Sequence, residues 1–280
     1  WRADGAIQVL YPLSNSGAIT LTEDGESFHL VLRIGGLVTE SVYDSSNDSG
    51  WRRLHGVPLP LASDEAAQLA RFSVLGLRTV LLRGARGDLD AQGNLLAWGY
   101  HESDSFRRRP TQFIVIPSEW KRFDSVALPT ELKVYEDDRH TQTVHWERVE
   151  RLSASAIPAL LRPPAPLPPP AGLPVTLPLR FFQREIFVNA KLNGREYVML
   201  LDTGAAITVI DKPVAEALRL PPGERMNVLG ASGQGESVVT RLASIELGRV
   251  KLQDLQVAVT DLGLIRLLGG ERFGGVLGFN

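Results

Sequence analysis

The sequence predicts a mainly β protein in which an N-terminal β-rich domain is followed by a second β domain. Three features lead to this prediction. Apolar, β-favouring segments recur along the first 160 residues, prolines accumulate near residue 165, and hairpin patterns return after them. With 280 residues, the chain is long enough for two domains that each bury a core of their own.

Several apolar segments of the first domain are predicted to be strands. A hairpin is predicted at residues 18–34, where Glu23-Asp24-Gly25-Glu26 forms the turn between two apolar segments. Further strands are predicted at residues 77–82, 95–100, 113–116 and 131–135. Residues 63–72 instead predict one short helix, because Ser63 is a suitable N-cap and is followed by acids and helix-forming residues.

A proline-rich segment marks the predicted boundary between the domains. Residues 162–174 read R-P-P-A-P-L-P-P-P-A-G-L-P, and prolines of this density favour a stiff, extended spacer without backbone donors. We therefore assign residues 1–160 to a β-rich domain of unknown role, residues 161–174 to a linker and residues 175–280 to the second domain. A ligand for an SH3-type domain is the alternative interpretation of the prolines.

The second domain begins with a strong hairpin signal. Apolar strands at residues 184–192 and 195–201 are joined by Asn193-Gly194, a pair typical of two-residue hairpin turns. A helical turn or two is predicted at residues 212–218. Strands at residues 236–247 and 250–259 follow, joined through Gly248-Arg249. The second domain is therefore also predicted to be mainly β.

The composition excludes several classes of site. The formal net charge is -2, from 30 basic and 32 acidic residues, so no nucleic-acid partner is expected. Because the chain has no cysteine, it can form neither disulfides nor thiolate metal sites, and it has no cysteine nucleophile. No apolar run approaches the about 20 residues that are needed to span a bilayer.

The start of the sequence bears on localisation. It begins with Trp1 and not with methionine, so an N-terminal segment is expected to have been removed, and an export signal is one such segment. A periplasmic or otherwise exported location is the expectation, with the cytoplasm as the alternative.

An aspartate in an unusual position marks the candidate site. An apolar strand at residues 197–201 runs directly into Asp202-Thr203-Gly204-Ala205, and apolar residues resume at Ile207. A carboxylate between two apolar strands is expected to be partly desolvated. It should therefore be either hydrogen-bonded at a turn or functional.

This arrangement resembles the active-site loop of retropepsin-like aspartic proteases. Two further features follow in the order of that family. The segment Leu229-Gly-Ala-Ser-Gly-Gln-Gly235 is similar to its glycine-rich flap, and Gly275-Val-Leu-Gly278 is similar to the apolar-apolar-glycine element that closes its domain. The resemblance covers residues 173–280 and implies a closed β-barrel for this part of the chain.

The resemblance also implies a role for each site residue. Asp202 would be the catalytic carboxylate, and Thr203 would place its hydroxyl against the backbone of the opposite loop. Gly204 would bring its N–H toward the carboxylate in a conformation that a side chain would resist. The residues implied to contact substrate are Ala205, Ile207, Ala231, Ser232, Gly233 and Val276.

Chemistry of this kind needs a second aspartate. The triplet Asp48-Ser49-Gly50 is the other candidate, but its surroundings are rich in serine, asparagine and aspartate and predict a loop. The second carboxylate is therefore expected to be Asp202 of another copy, in a homodimer with twofold symmetry. Proteins of the family usually continue into a terminal dimer strand, whereas this sequence stops at Asn280, so either the end is shortened or the dimer is built differently.

Other candidate sites are assigned to ordinary structure. The segment that begins with Asp88-Leu-Asp90 is similar to an EF-hand loop, but it lacks the glutamate at the twelfth position and is interpreted as a turn. His140 and His145 lack the spacing of a helical zinc motif, and Ser232 lacks the context of a nucleophile elbow. No metal and no cofactor are therefore expected.

The sequence thus predicts an aspartic endopeptidase, a hydrolase that cleaves protein or peptide substrates with a water activated between two Asp202 carboxylates of a homodimer. The first domain would serve recognition or regulation. One alternative keeps the fold without the chemistry, as an inactive protease-fold module that binds peptides or acts as a scaffold. Another treats the first domain as a ligand-binding module whose partner recruits the protease.

Overall fold

The computed structural model describes residues 1–10, 14–24, 27–46, 49–54, 57–61, 69, 72, 86–89, 91, 95–102, 110–153, 173–230 and 233–278. They form two compact units, the first within Trp1–Ile34, Val38–Arg53 and Pro58–Pro164 and the second chiefly within Ala165–Asn280. Residues 154–172, which include most of the predicted linker, lie outside the described residues. The domain bounds proposed from the sequence therefore stay predictions.

The described part of the first unit contains eleven strands. They are β1 (Arg2–Val9), β2 (Asn15–Glu23), β3 (Phe28–Ile34), β4 (Leu37–Asp44), β5 (Ser49–Leu54), β6 (Val57–Pro60), β7 (Arg86–Leu89), β8 (Leu95–Glu102), β9 (Thr111–Phe123), β10 (Val126–Glu136) and β11 (Arg139–Glu150).

These strands form one sheet whose order is β6-β5-β4-β3-β2-β1-β11-β10-β9-β8-β7. Chain neighbours pair with each other, and the first strand pairs antiparallel with the last, from Arg2 opposite Glu150 to Val9 opposite Gln142. The sheet is therefore two meanders joined along β1 and β11.

The core of the first unit lies on one face of this sheet. In β9, Thr111, Phe113 and Val115 are buried and alternate with less buried residues, as expected for a strand with one covered face. Trp98 and Trp146 belong to the same buried cluster. Alternation of this kind is the signal on which the strand predictions were based.

The described residues of the second unit form eight strands and two short helices. They are β12 (Leu179–Phe182), β13 (Glu185–Leu192), β14 (Arg195–Leu201), β15 (Val209–Asp211), α1 (Lys212–Ala217), β16 (Glu224–Gly230), β17 (Gly233–Leu247), β18 (Val250–Thr260), α2 (Gly263–Gly269) and β19 (Phe273–Leu277).

The sheet of the second unit places a late strand between two early ones. Its order is β12-β13-β14-β19-β15-β18-β17-β16, with β19 parallel to β14 and antiparallel to β15. Two residue pairs, Lys191 with Glu246 and Leu192 with Ile245, also join β13 to β17, so the sheet bends back on itself. The mainly β class is confirmed for both units, and the return contact that could close the predicted barrel is extended by two hydrogen bonds between Asn193 and Ser244.

The predicted hairpin at Asn193-Gly194 is confirmed. Both residues have positive φ, 47° and 82°, which is the conformation that two-residue hairpin turns require and that asparagine and glycine adopt most readily. The hairpins joined through Gly248 and the helix after Asp211 also form as predicted. The strand predicted at residues 77–82 lies outside the described residues, as does all of the helix at residues 63–72 apart from Leu69 and Phe72.

Candidate active site

Asp202 is the first residue after β14, at the point where the chain leaves the sheet. Its backbone N–H donates to the carbonyl of Leu277 at 3.0 Å, which extends the parallel pairing of β14 and β19 by one bond. Its carbonyl accepts the N–H of Ala205 at 3.2 Å, which closes a tight turn. The loop that carries the predicted catalytic carboxylate is therefore fixed by β19 on one side and by its own turn on the other.

Gly204 donates its N–H to the Oδ1 atom of Asp202 at 2.8 Å. This is the interaction that the sequence predicted, and it orients the carboxylate relative to the loop. Gly204 does not have a positive φ, so its backbone torsion would not by itself exclude a side chain. A side chain would instead be confined by space, since a Cβ atom at this position would lie 3.2 Å from the same carboxylate oxygen.

The closing glycine element packs directly under this loop. A Cβ atom on Gly278 would lie 2.6 Å from the carbonyl carbon and oxygen of Ile207 and 2.7 Å from the carbonyl oxygen of Ala205, so only glycine fits. The N–H of Gly278 donates to the Oγ1 atom of Thr208 at 3.2 Å, and Thr208 is buried. The loop therefore needs both the small residue and the buried hydroxyl.

The carboxylate of Asp202 is exposed in the single chain, which corrects the expectation that it would be partly desolvated. Thr203 and Gly204 are exposed as well. The reason is geometric, because residues 202–206 follow the last residue of β14 and project beyond the sheet instead of crossing its core. In one chain, the candidate site is an open surface.

The predicted substrate contacts fall into three groups. Ala205 and Ile207 are partly exposed and border the loop, while Val276 is 6% exposed and packs in a cluster with Phe187 and Leu200. Gly233 begins β17. The other two residues, Ala231 and Ser232, lie outside the described residues. The substrate-binding assignments stay predictions.

The predicted flap corresponds to an antiparallel hairpin. Strands β16 and β17 pair from Glu224 opposite Val239 to Gly230 opposite Gly233, so their paired residues surround the glycine-rich tip. Arg225 also donates to Glu236 across the hairpin at 3.1 Å. The hairpin has the shape expected of a flap, and its closure over a peptide is treated as a prediction.

An ion pair near the site, in which the aspartate is buried and the arginine is partly exposed, was not found from the sequence. Asp211, at the end of β15, is 1% exposed and accepts two hydrogen bonds from Arg266 of α2, at 2.6 and 2.9 Å. It also accepts the backbone N–H of Leu262 at 3.1 Å. The hydrogen bonds that Arg266 donates to the Asp211 carboxylate raise the pKa of Arg266, so the guanidinium stays charged. The pair fixes α2 to β15, next to the cluster that holds Ala205 and Val276.

Replacing Asp211 with alanine is expected to lower the free energy of unfolding of the second unit by about 3 kcal/mol, because three hydrogen bonds to a buried carboxylate are lost. Urea unfolding monitored by circular dichroism would measure it. The matched control is Asp261→Ala, which removes an exposed carboxylate that contacts the same arginine at 2.9 Å and should have a much smaller effect. Equal destabilisation by the two variants would contradict the structural role of Asp211.

No helix among the described residues is long and apolar enough to cross a membrane. Among the same residues, no group of three or more histidine, aspartate or glutamate side chains is arranged to hold a metal ion.

Comparison with known proteins bears on the second unit. Residues 188–280 match the family model described as aspartyl protease. A solved structure described as a retropepsin-like aspartic protease from Rickettsia conorii is 21% identical, with a TM-score of 0.28 over 38% of this chain and 84% of that chain. No curated protein gives a match.

The matched residues contain Asp202, the flap hairpin and the closing glycine element. The C-terminal part of the chain is therefore similar to the aspartyl protease family, in agreement with the resemblance of its sequence to retropepsin-like proteases. The match does not extend to the first unit.

Proposed function

We propose that the chain is an aspartic endopeptidase whose active site forms when two copies bring their Asp202 side chains together. The observation that carries the proposal is the exposed carboxylate of Asp202. It is held by Gly204 on a loop that is fixed to β19, at the end of a strand in a domain of the aspartyl protease family. A carboxylate so exposed in one chain is available to a second one.

The chemistry follows from the two acids. Carboxylates about 3 Å apart cannot both ionise, so the pair would share one proton. The charged carboxylate accepts a proton from a water between them while the water oxygen attacks the peptide carbonyl carbon. The neutral carboxyl donates its proton to the carbonyl oxygen. The amine then leaves with the proton that the first carboxyl took from water, and a hydroxyl of the tetrahedral intermediate returns its proton to the second carboxylate. The proposed substrates are proteins or peptides.

An exposed apolar strand supports the dimer. Strand β12 lies at the end of the sheet order, and Phe181 and Phe182 are 70% and 46% exposed. Phe182 on β12 pairs with Glu185 on β13. In the register of β13 with β14, Phe187 pairs with Leu200, so the position opposite Glu185 is that of Asp202. The exposed aromatic residues are therefore level with the carboxylate, on the surface that a twofold partner would have to cover.

The proposal predicts that activity depends on enzyme concentration and on pH. If both carboxylates come from Asp202, the rate per chain should fall on dilution below the dissociation constant of the dimer. The pH profile should be bell-shaped, because the pair loses activity at low pH when it gains a second proton and at high pH when it loses its only one. We expect a mildly acidic optimum, since Ala205 offers no hydroxyl to stabilise the charged form.

Initial rates of peptide cleavage, measured over a range of enzyme concentrations at several pH values, test this proposal. Sedimentation under the same conditions reports the oligomeric state. A rate per chain that is independent of concentration in a monomeric protein would refute the homodimer. A dimer that binds peptides without cleaving them at any pH would instead favour the inactive peptide-binding module.

A further inference from the structure

The first unit contains a cavity of about 120 Å³ that is unrelated to Asp202. It is lined by four leucines, among them Leu30 and Leu32, and by three polar residues, Thr39, Ser41 and Arg52. Leu30 and Ser41 are only 1% and 2% exposed, so the cavity reaches into the interior of the unit. A mostly apolar cavity with a few convergent polar groups is the usual form of a small-molecule site.

The strands place the polar groups together. Thr39 and Ser41 are two residues apart on β4 and therefore point to the same face of the sheet. Arg52 lies on β5, on one side of β4 in the sheet order, while Leu30 and Leu32 lie on β3, on the other side. The cavity thus has Leu30 and Leu32 on its β3 side and Arg52 on its β5 side, with the two hydroxyls of β4 between them.

Arg52 is the one charged side chain among the described residues that line the cavity. Glu40, which lies between Thr39 and Ser41 on β4, points to the opposite face of the sheet. There it pairs with Arg53 and with His29, whose Nε2 atom lies 2.8 Å from the Glu40 Oε1 atom. Arg52 already makes an interaction within the chain, and a guanidinium has five N–H donors to share between that interaction and a ligand.

We propose that this cavity binds a carboxylate that carries a short, branched apolar chain. A guanidinium fork and two hydroxyls are donors that match the two oxygens of a carboxylate, and the leucines match an alkyl group. One water takes up about 30 Å³ in the liquid, so the volume of this cavity is that of a few waters. It has room for one small organic group and not for a long chain. A free short-chain acid and the C-terminal carboxylate of a peptide that ends in an apolar residue both have this chemistry.

Calorimetric titration of the full chain with 3-methylbutanoate tests the proposal. Saturable binding is expected, and 3-methylbutan-1-ol, which has the same alkyl group without the charge, should bind at least about tenfold more weakly. No saturable binding of the acid, or equal binding of the alcohol, would overturn the proposal. Neither comparison depends on a variant being folded.

Variants test which residues bind the acid. Arg52→Gln should weaken binding at least about tenfold, and Thr39→Val should weaken it a few-fold because only a hydroxyl is exchanged for a methyl group. The matched control is Arg33→Gln, which removes the same charge from an exposed position of β3 next to Leu32 and should leave binding unchanged. Circular dichroism shows whether each variant is folded, and unchanged binding by a folded Arg52→Gln protein would contradict the assignment.

The source of the carboxylate is distinguished with acetyl-glycyl-leucine and its C-terminal amide. If the site takes peptide ends, the free acid of this dipeptide should bind at least as tightly as 3-methylbutanoate, and the amide at least about tenfold more weakly. If it takes free acids, 3-methylbutanoate binds and neither peptide does. Equal binding of the peptide acid and the amide would contradict carboxylate recognition from either source.

Discussion

Replacing Asp202 with asparagine is expected to reduce peptidase activity at least about 10³-fold while the fold is retained. Asparagine has the shape of aspartate, and its carbonyl oxygen can still accept the N–H of Gly204, which is 2.8 Å from the carboxylate. It cannot accept a proton from water or share one with a second acid. Because the side chain is exposed in the single chain, its replacement removes no core packing.

The measurement compares initial rates for a fluorogenic peptide library before and after the substitution, together with thermal unfolding. A suitable control is Asp254→Asn, which makes the same chemical change at an exposed aspartate paired with Arg241 on β17. Asp254 has a positive φ of 56°, which asparagine tolerates, so this control should fold and keep full activity. A folded Asp202→Asn protein that still cleaves at the unaltered rate would show that the catalytic assignment is wrong.

The second large effect is expected from the double variant Phe181→Asp and Phe182→Asp. If β12 lies in the dimer interface, twofold symmetry brings the new charges of both copies close together, where they repel. We expect a monomeric protein with activity about 10²-fold lower at concentrations where the original protein is dimeric. The fold should be retained, because every residue of β12 is exposed.

Analytical ultracentrifugation and activity at matched concentrations test this prediction. Leu267→Asp is the matched control, since Leu267 is 79% exposed in the same domain but lies on α2 and not on β12. It introduces the same charge at an equally apolar exposed position and should leave the dimer intact. A double variant that remains dimeric and active would show that β12 is not the contact surface.

Local patterns predicted much of the second unit. The hairpin at Asn193-Gly194 and the strands around Gly248 depend on turn residues and period-two alternation, which can be read within a dozen residues. The bond from Gly204 to Asp202 also joins residues two positions apart. Such features need no knowledge of distant parts of the chain.

Long-range features were not predicted, because their partners are far apart in sequence. Asp211 and Arg266 are separated by 55 positions, and each is unremarkable alone. The only signal was a charged residue at the edge of each of two apolar runs, Val209-Ile210 and Leu267-Leu268. The pairing of β1 with β11, which joins the two halves of the first sheet, also cannot be predicted from local sequence.

The exposure of Asp202 depends on where the strand ends, and strand ends are read less accurately from sequence than strand centres.

The position of β19 has a consequence for the order of events during synthesis. Strands β14 and β15, which flank the Asp202 loop, are joined in the sheet only through β19, whose residues are translated after the flap hairpin and after β18. Until β19 has left the ribosome, the N–H of Asp202 has no Leu277 carbonyl to bind and the loop has no Gly278 beneath it. The loop around Asp202 therefore reaches its final form only after the strands on both sides of it have been made.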